Sequence, residues 1–407
     1  MLNKTHDNYN ATIVIVDKVH TLDNMDKVVW FNYFWFQALI SKDTSIGCVG
    51  LFIPTGTQLN KDFLKKNNLY ASKDLNEDQS VAWYMWKNGC VKAIRLRGNV
   101  SNALFLPITM LDGFVNYDKL AIHIGESFNV IDGFELCKKF IPECELKKWP
   151  ARLPKKEVRV ERKYIPEHVD TQQFLRYLEE YNPEDYIYVS QKLHGTSVIL
   201  WHTYINPKRT FWDRLFWRKK QPTMWYVASS RRVIKGVDDN TWFYDVDIWS
   251  ECLRQYKNQI PKGFLIYGEI VGWVWDTPIQ KGYTYECPKW QWDLFVYRVA
   301  TVNPDGVIVD LSRPAMVEWC RSNGFKTVVP LWEGKFKDFN YEEYLDKVYS
   351  NTYTGAIKLS DPKSVDEWVV IRKEWLIPDF KKCKWPMFYE YESWQAEAWE
   401  VNVEDQN

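Results

Sequence analysis

The chain has 407 residues, room for about two or three domains at roughly 150 residues each. Lys plus Arg and Asp plus Glu both number 53, so the formal charge is zero and a histone-like polycation is excluded, while a local basic face is not. Hydrophobic residues at 46% and charged residues at 26% are ordinary globular proportions, which argues against disorder over most of the chain. The unusual feature is 22 Trp, 24 Tyr and 21 Phe, which supply either aromatic-rich β cores or rings that stack on bases.

Residues 12–140 read as β-rich. TIVIVDKVH, VVWFNYFWFQALI, CVGLFIP, KAIRLRG and NALFLPI are short β-branched and aromatic runs punctuated by Gly, Asn and Pro. Such spacing predicts a small barrel or sandwich. Between Lys147 and Lys163 stand eight Lys/Arg and two Glu, net +6, with Pro150 and Pro154 among them. That stretch reads as an exposed basic linker, solvated or in contact with phosphates. TQQFLRYLEEY, residues 171–181, predicts a short helix with Phe174, Leu175 and Leu178 on one face. Strand-like runs follow: YIYVSQKL, TSVILWHTY, MWYVASS, FLIYGEIVGW, WDLFVYRV and DEWVVIRK. Helical stretches are expected around Asp247–Tyr256, Pro314–Asn323 and Tyr341–Ser350, which makes this region α+β. After Lys384 there is no Lys or Arg, and the tail is acidic.

The eight Cys contain no C-x-x-C pair and the six His are scattered, so no zinc pattern forms. Reduced structural thiols in a cytoplasmic protein are the expectation. The first twenty residues hold no uninterrupted apolar region and no run of 18 apolar residues occurs, so neither a cleavable secretion signal nor a membrane span is expected, and no membrane partner.

Chemistry concentrates in four places. Lys192-Leu193-His194-Gly195-Thr196 sits where one strand pattern ends and the next begins. A lysine amine is a nucleophile once neutral, nearby positive charge disfavours the ammonium form of an amine, and a following Gly lets backbone approach a nucleotide. Tyr267-Gly268-Glu269 ends an apolar run in a carboxylate, Asp366 and Glu367 precede another apolar strand, and Lys382-Cys383-Lys384 puts two ammonium groups on one face by period 2. Each is commonplace alone, as a turn lysine or a solvated charge; the ordered set is far more specific.

That ordered set resembles the ATP-dependent RNA ligases of the covalent nucleotidyltransferase superfamily. QKLHGTSV resembles the first motif, which implies that Lys192 takes AMP, with Gln191, His194 and Gly195 beside the nucleotide. SSRRVIK implies a phosphate contact at Arg231. YGEIVG, followed by Gln280, implies that Glu269 binds the ribose hydroxyl. WDLFVYRV resembles the adenine-stacking strand, with Phe295 and Tyr297 on one face. DEWVVIRK implies Glu367 near the metal, with Glu269 as a second metal candidate, and FKKCKW implies Lys382 and Lys384 on the AMP phosphate. The sequence departs from the family pattern at His194, where many members have Asp, at Gln191, where Glu is frequent, and at Trp368, where Gly is usual.

DKVVWFNYFWFQALISKDTSIGCVGLFIPTGTQL and VKAIRLRGNVSNALFLPITML resemble the N-terminal OB domain of one branch of these ligases. The resemblance implies an OB-like β-barrel over residues 1–145, a linker over 146–166, an adenylyltransferase domain of antiparallel sheets flanked by helices over 167–392, and an acidic tail over 393–407. It implies ATP and Mg²⁺ or Mn²⁺ as cofactors, a monomer, and RNA as partner, either a nicked duplex or broken RNA, with 3′-OH and 5′-phosphate ends sealed through lysyl-AMP and adenylated RNA. DNA ligases and capping guanylyltransferases share the first motif but usually carry their OB domain after the fifth. Here the OB-like segment lies in front. A non-catalytic nucleic-acid-binding protein with a degenerate transferase domain is the alternative of a different class, kept open by Trp368. The stretch Asn206–Pro222, NPKRTFWDRLFWRKKQP, is an insertion near the Lys192 strand with six basic residues and one Asp, net +5, interleaved with Phe and Trp. It reads either as a finger that grips RNA or as a helix whose rings pack on the protein's own surface.

Overall fold

The computed structural model describes residues 1–22, 25–34, 36–117, 120–141, 159–160, 164, 171–206, 211–217, 223–229, 234–236, 247–328, 330–343, 359, 365–384 and 388–390. The chain divides into two compact units, Met1–Lys147 with Lys384–Asn407, and Lys148–Cys383. Most of the basic linker, the helical stretch expected beyond Glu343, and Arg231 lie outside the described residues.

The first unit is built on seven strands: β1 (Ala11–Ile15), β2 (His20–Thr21), β3 (Val28–Tyr33), β4 (Phe36–Ser41), β5 (Val49–Pro54), β6 (Ala103–Pro107) and β7 (Ser127–Phe128). Their order is β7-β1-β5-β6-β4-β3-β2, antiparallel except for β6 beside β4, and among the described residues no pairing joins β7 to β2. Both faces of the sheet are buried. Ile13, Leu51, Ile53, Leu104 and Leu106 point into one core. Their neighbours Val14, Phe52 and Phe105 point into another, because successive side chains alternate across a strand. Phe31 meets Phe52 and Phe105 edge-on at 5.5 and 5.3 Å. Much of the aromatic content is therefore core, as the simpler reading of the composition requires. Helix α1 (Lys61–Lys66) is started by Asn60, whose side chain accepts from the Asp62 and Phe63 amides, and it drives Phe63 and Leu64 into the first core.

Among the described residues the second unit holds two sheets. In chain order its strands are β8 (Arg159–Val160), β9 (Gln172–Gln173), β10 (Tyr186–Gln191), β11 (Thr196–Asn206), β12 (Thr223–Ser229), β13 (Ile234–Gly236), β14 (Phe264–Val274), β15 (Trp292–Val302), β16 (Ile308–Asp310), β17 (Lys326–Thr327), β18 (Pro330–Lys335), β19 (Trp368–Lys373) and β20 (Asp379–Lys384). The larger sheet runs β13-β12-β11-β14-β15-β16, with β8 on β11, β17 on β15 and the short strand Thr277–Pro278 on β14. The smaller runs β9-β20-β19-β10-β18.

Val198, Leu200, Ile266, Ile270, Leu294 and Val296 cover one face of the larger sheet and pack with two helices, α3 (Ile248–Tyr256) and α4 (Arg313–Ser322). A third helix, α2 (Phe211–Leu215), precedes them in the chain. Asp247 caps α3 by accepting from the Ser250 amide, and Ser312 caps α4 just ahead of Pro314. The segment 171–181 is not the expected helix. Phe174–Arg176 and Leu178–Glu180 form separate single 3₁₀ turns, and β9 precedes them. Pairing of Gln172 and Gln173 along β20 holds the start of this segment extended, and Phe174 is buried without a continuing apolar stripe.

Candidate functional site

The loop Lys192–Gly195 joins the end of β10 in the smaller sheet to the start of β11 in the larger one. Both ends are fixed by backbone. The Lys192 amide donates to the Trp368 carbonyl at 2.7 Å, extending the β10–β19 ladder one residue past the Gln191–Val369 pair. The Gly195 amide donates to Glu269 Oε1 at 3.1 Å, and the Gly195 carbonyl accepts from Gln280 Nε2 at 3.2 Å. Between them the His194 amide donates to the Tyr285 hydroxyl at 2.7 Å. A Cβ on Gly195 would lie 2.2 Å from the Ile270 carbonyl oxygen, so only Gly fits against β14.

Within this frame the Lys192 ammonium stands 2.7 Å from Glu367 Oε2, and His194 Nδ1 stands 3.3 Å from the same oxygen. The Glu367 side chain is 4% exposed and that of Lys192 19%, so the lysine is the partner that reaches solvent. Burying a carboxylate is costly unless it is paired, and here a cation and an imidazole share it. Gln191 Nε2 donates to Asp366 Oδ2 at 2.8 Å. Burial pushes the Asp366 carboxyl up to about 6, and the Gln191 hydrogen bond opposes that shift.

Glu269 is also part of a cross-strand row. Ser197 on β11 pairs with Glu269 on β14, and Glu269 pairs with Phe295 on β15. Phe295 thus shares a register line with the carboxylate. Tyr297, one pleat further along the same face, brings its hydroxyl to 3.5 Å from Ser197 Oγ. Trp249 of α3 donates from its indole to the Ser197 carbonyl at 3.1 Å and holds the start of β11 from the helical side.

The structure therefore brings together Gln191, Lys192, His194, Gly195, Glu269, Phe295, Tyr297 and Glu367. Lys382 is buried on β20, two residues from Lys384. Lys384 ends that strand with its ammonium 5.0 Å from the Phe388 ring and 5.8 Å from Tyr389. Lys381, which precedes Lys382 on the strand, pairs with Glu180 and Asp379, each at 2.8 Å. Arg231 lies outside the described residues.

Two further residues escape the sequence reading. Tyr285 accepts from the loop amide as above, and burial drives its hydroxyl pKa well up, so it stays protonated. Tyr283 stacks edge-on against His194 at 4.7 Å and donates to the Val365 carbonyl at 2.6 Å, tying the loop to the segment before Glu367. Both stand in QKGYTYECP, which has no periodicity to mark it.

Trp368 has a φ of +106°. That backbone region favours glycine, the residue usual at this place in the resembled family. The chain keeps the glycine-like backbone and buries the indole to 2% exposure. The ring lies with Phe174, Phe339, Tyr341, Ile371 and Cys383 around a small apolar cavity.

A loop lysine against a buried glutamate, with a second carboxylate and an aromatic strand on the neighbouring sheet, defines a nucleotidyltransferase domain. Residues 185–384 match the family model described as RNA ligase, so the chain carries a domain of the enzymes that join polynucleotide ends at the expense of ATP. No curated protein matches the chain by sequence. Among solved structures it is similar to Naegleria gruberi RNA ligase. One such structure, with AMP and Mn, has a TM-score of 0.56 at 14% identity and covers 94% of this chain and 98% of the other. A variant with ATP and Mn gives 0.58 at 14% identity, covering 95% and 98%. An apo variant gives 0.60 at 13% identity, covering 95% and 99%. At such identity the likeness establishes the fold, over both units.

Proposed function

We propose that Lys192 is the residue that carries AMP. Its Nζ attacks the α-phosphate of ATP, the N–P bond forms and pyrophosphate leaves. AMP then passes to an RNA 5′-phosphate, and a 3′-OH attacks that phosphate and releases AMP. The observation that carries this reading is the Lys192–Glu367 pair at 2.7 Å on a loop pinned to both sheets. Glu367 aims the amine and is the nearest carboxylate for the proton it must shed. Glu269, beside Phe295 and Tyr297, is placed for the ribose, with one of the two rings against the adenine. Lys382, and with it Lys384, supplies positive charge for the phosphate, the kind of preset charge on which phosphoryl transfer depends.

Naegleria gruberi RNA ligase structures contain ATP or AMP with Mn, which supports the same nucleotide and a divalent cation here. Glu367 and Glu269 are the carboxylates facing the loop, and among the described residues no three His, Cys, Asp or Glu side chains gather into a cage. That donor set fits Mg²⁺ or Mn²⁺ held largely through water and phosphate oxygens. When bound, the ion would offset charge on the phosphates.

The first unit is assigned the OB-like role of holding nucleic acid, with a nicked duplex or broken RNA as the substrate. Trp368 does not favour a non-catalytic reading, since its backbone keeps the conformation and the hydrogen bond that set the Lys192–Glu367 pair. The test is incubation with α-labelled ATP and magnesium, followed by denaturing electrophoresis. Covalent label that is lost in Lys192→Ala supports the assignment; label that persists in the variant refutes it.

A further inference from the structure

The basic residues of the Asn206–Pro222 insertion lie, apart from Arg214, outside the described residues. The segment 275–290, which meets the Lys192 loop, is described throughout. It leaves β14 by a hairpin in which Trp273 pairs with Pro278 and Val274 with Thr277, so Trp275 and Asp276 form the turn. The Ile279 amide donates to the Gly272 carbonyl at 2.9 Å, Gln280 reaches the Gly195 carbonyl, and Tyr283 and Tyr285 meet His194. The segment closes where the Trp290 amide donates to the Trp275 carbonyl at 3.2 Å.

Trp275 and Trp290 are themselves turned largely to solvent, at 60% and 61% exposure. Their ring centroids lie 6.1 Å apart with the planes at 71°. Each has a positive φ, +58° and +72°, a region costly for a bulky residue. Among the described residues ten non-glycine residues have positive φ, and these two fall in one segment with Tyr285 and Glu286. Tyr285 holds its place through the His194 amide. Burial does not account for the two indoles, which keep more than half their surface in water at a backbone cost. Strain of this kind concentrates where ligands are held. The turn is also near the chemistry. Ile270 pairs with Thr196 at the start of β11, and Trp275 follows five residues later, at most about 17 Å along the strand at about 3.3 Å per residue.

We propose that Trp275 and Trp290 form a stacking platform for unpaired bases of the RNA end being joined. Resting on Lys192 as the AMP carrier, this platform adds a preference for broken, single-stranded RNA over a nicked duplex. Unstacked bases can be laid on aromatic side chains, whereas bases inside a duplex already stack on their neighbours. With the planes at 71°, a base can lie flat on one indole with its edge against the other. Lys281 and Lys289 are balanced by Asp276 and Glu286, so the segment is neutral and grips base faces rather than phosphates. That neutrality also gives an anionic lipid surface no electrostatic hold, and no helix among the described residues is long and apolar enough to cross a membrane. Continuity with the Lys192 loop, through Gln280, Tyr283 and Tyr285, favours RNA over a second copy of the chain.

The test is binding of fluorescent 5′-phosphorylated RNA to the full chain, as a single strand and as a nicked duplex. The proteins are the wild type, Trp275→Leu/Trp290→Leu and Trp275→Phe/Trp290→Phe. The Leu pair should weaken single-strand affinity at least about tenfold and duplex affinity no more than about twofold. Its log–log salt slope should stay that of the wild type, since no phosphate contact is lost. The Phe pair should keep most of the affinity, because a ring face remains. Wild-type single-strand affinity in the Leu pair overturns the proposal, and so does equal weakening by the Leu and Phe pairs or equal weakening on the duplex. A shallower salt slope would make the segment a phosphate contact instead, and loss of a concentration-dependent dimer in the Leu pair would assign the rings to self-association. Photo-crosslinking of the wild type to thiouridine-substituted single-stranded RNA needs no variant to fold: crosslinks should map to Trp275 or Trp290. Labelling of the same preparation with α-labelled ATP reads the Lys192 assignment separately. Protein that takes AMP yet crosslinks at neither Trp overturns the platform alone.

Discussion

The backbone amide of Lys192 donates to the carbonyl of Trp368 at 2.7 Å, and Trp368 holds a φ of +106° while doing so. A bulky residue in that region stores on the order of 1–3 kcal/mol of strain. The buried indole offsets it, since removing a buried Trp costs about 3–5 kcal/mol. The two contributions can be separated. Trp368→Ala loses the ring and keeps a strained Cβ, whereas Trp368→Gly loses the ring and the strain together. Both variants should be less stable than the wild type, with Gly more stable than Ala by about 1 kcal/mol, the reverse of the usual order within a strand. Chemical denaturation of the three proteins measures this, and an Ala variant at least as stable as Gly would remove strain from the account.

Lys192→Ala should abolish AMP attachment and the joining of plain 5′-phosphate ends. It should keep part of the sealing of a strand supplied already adenylated, because that step does not pass through the lysine. A variant that fails equally on both substrates would mean that the side chain also holds RNA or the fold of the loop.

Many of the strands were legible in the sequence because β-branched and aromatic runs broken by Gly and Pro carry a period the eye can follow, but their ends were not: VVWFNYFWFQALI, read as one run, is two strands, Val28–Tyr33 and Phe36–Ser41. The loop from Lys192 to Gly195 was legible for the same reason, at a junction of two such runs. Tyr283 and Tyr285 were not. They act from an irregular segment in which Tyr285 and Glu286 both have positive φ, and their role depends on long-range contacts that no local pattern encodes. The helix expected at 171–181 fails for a related reason: pairing of Gln172 and Gln173 with β20 outweighs the local apolar spacing.

The cysteines give a pH-dependent expectation. Burial pushes the Cys137 and Cys320 thiols up to about 12 and the Cys287 thiol up to about 11. A raised value means the folded state holds the proton more firmly than the unfolded chain. The resulting stability is complete below pH 9 and is lost as pH rises from 9 through 11 to 12. At pH 8 these thiols should react with iodoacetamide only as fast as the protein opens, while half-buried Cys48 reacts ahead of them. Mass spectrometry of a timed labelling series reads this, and rapid modification of Cys137 or Cys320 in the native protein would contradict it.

Gly195→Ala tests whether the loop must touch β14. The added methyl would lie 2.2 Å from the Ile270 carbonyl oxygen and 2.9 Å from Val271 Cγ1, and a strand backbone flanked on both sides has little room to yield. The loop must shift instead, which breaks the hydrogen bonds from Gly195 to Glu269 and from Gln280 to Gly195. Overpacking of this kind costs about 1–3 kcal/mol of stability. A displacement of about 1 Å at the amine costs on the order of a hundredfold in rate. AMP attachment should therefore fall at least about a hundredfold in a protein that still folds. Gln280→Ala removes one of the two hydrogen bonds without moving the loop, so its loss should stay below about tenfold. Single-turnover AMP attachment by the two variants, compared at saturating ATP, measures the difference. Equal rates in Gly195→Ala and the wild type would show that the loop is free to move, and that the close contact with Ile270 does not set the position of Lys192.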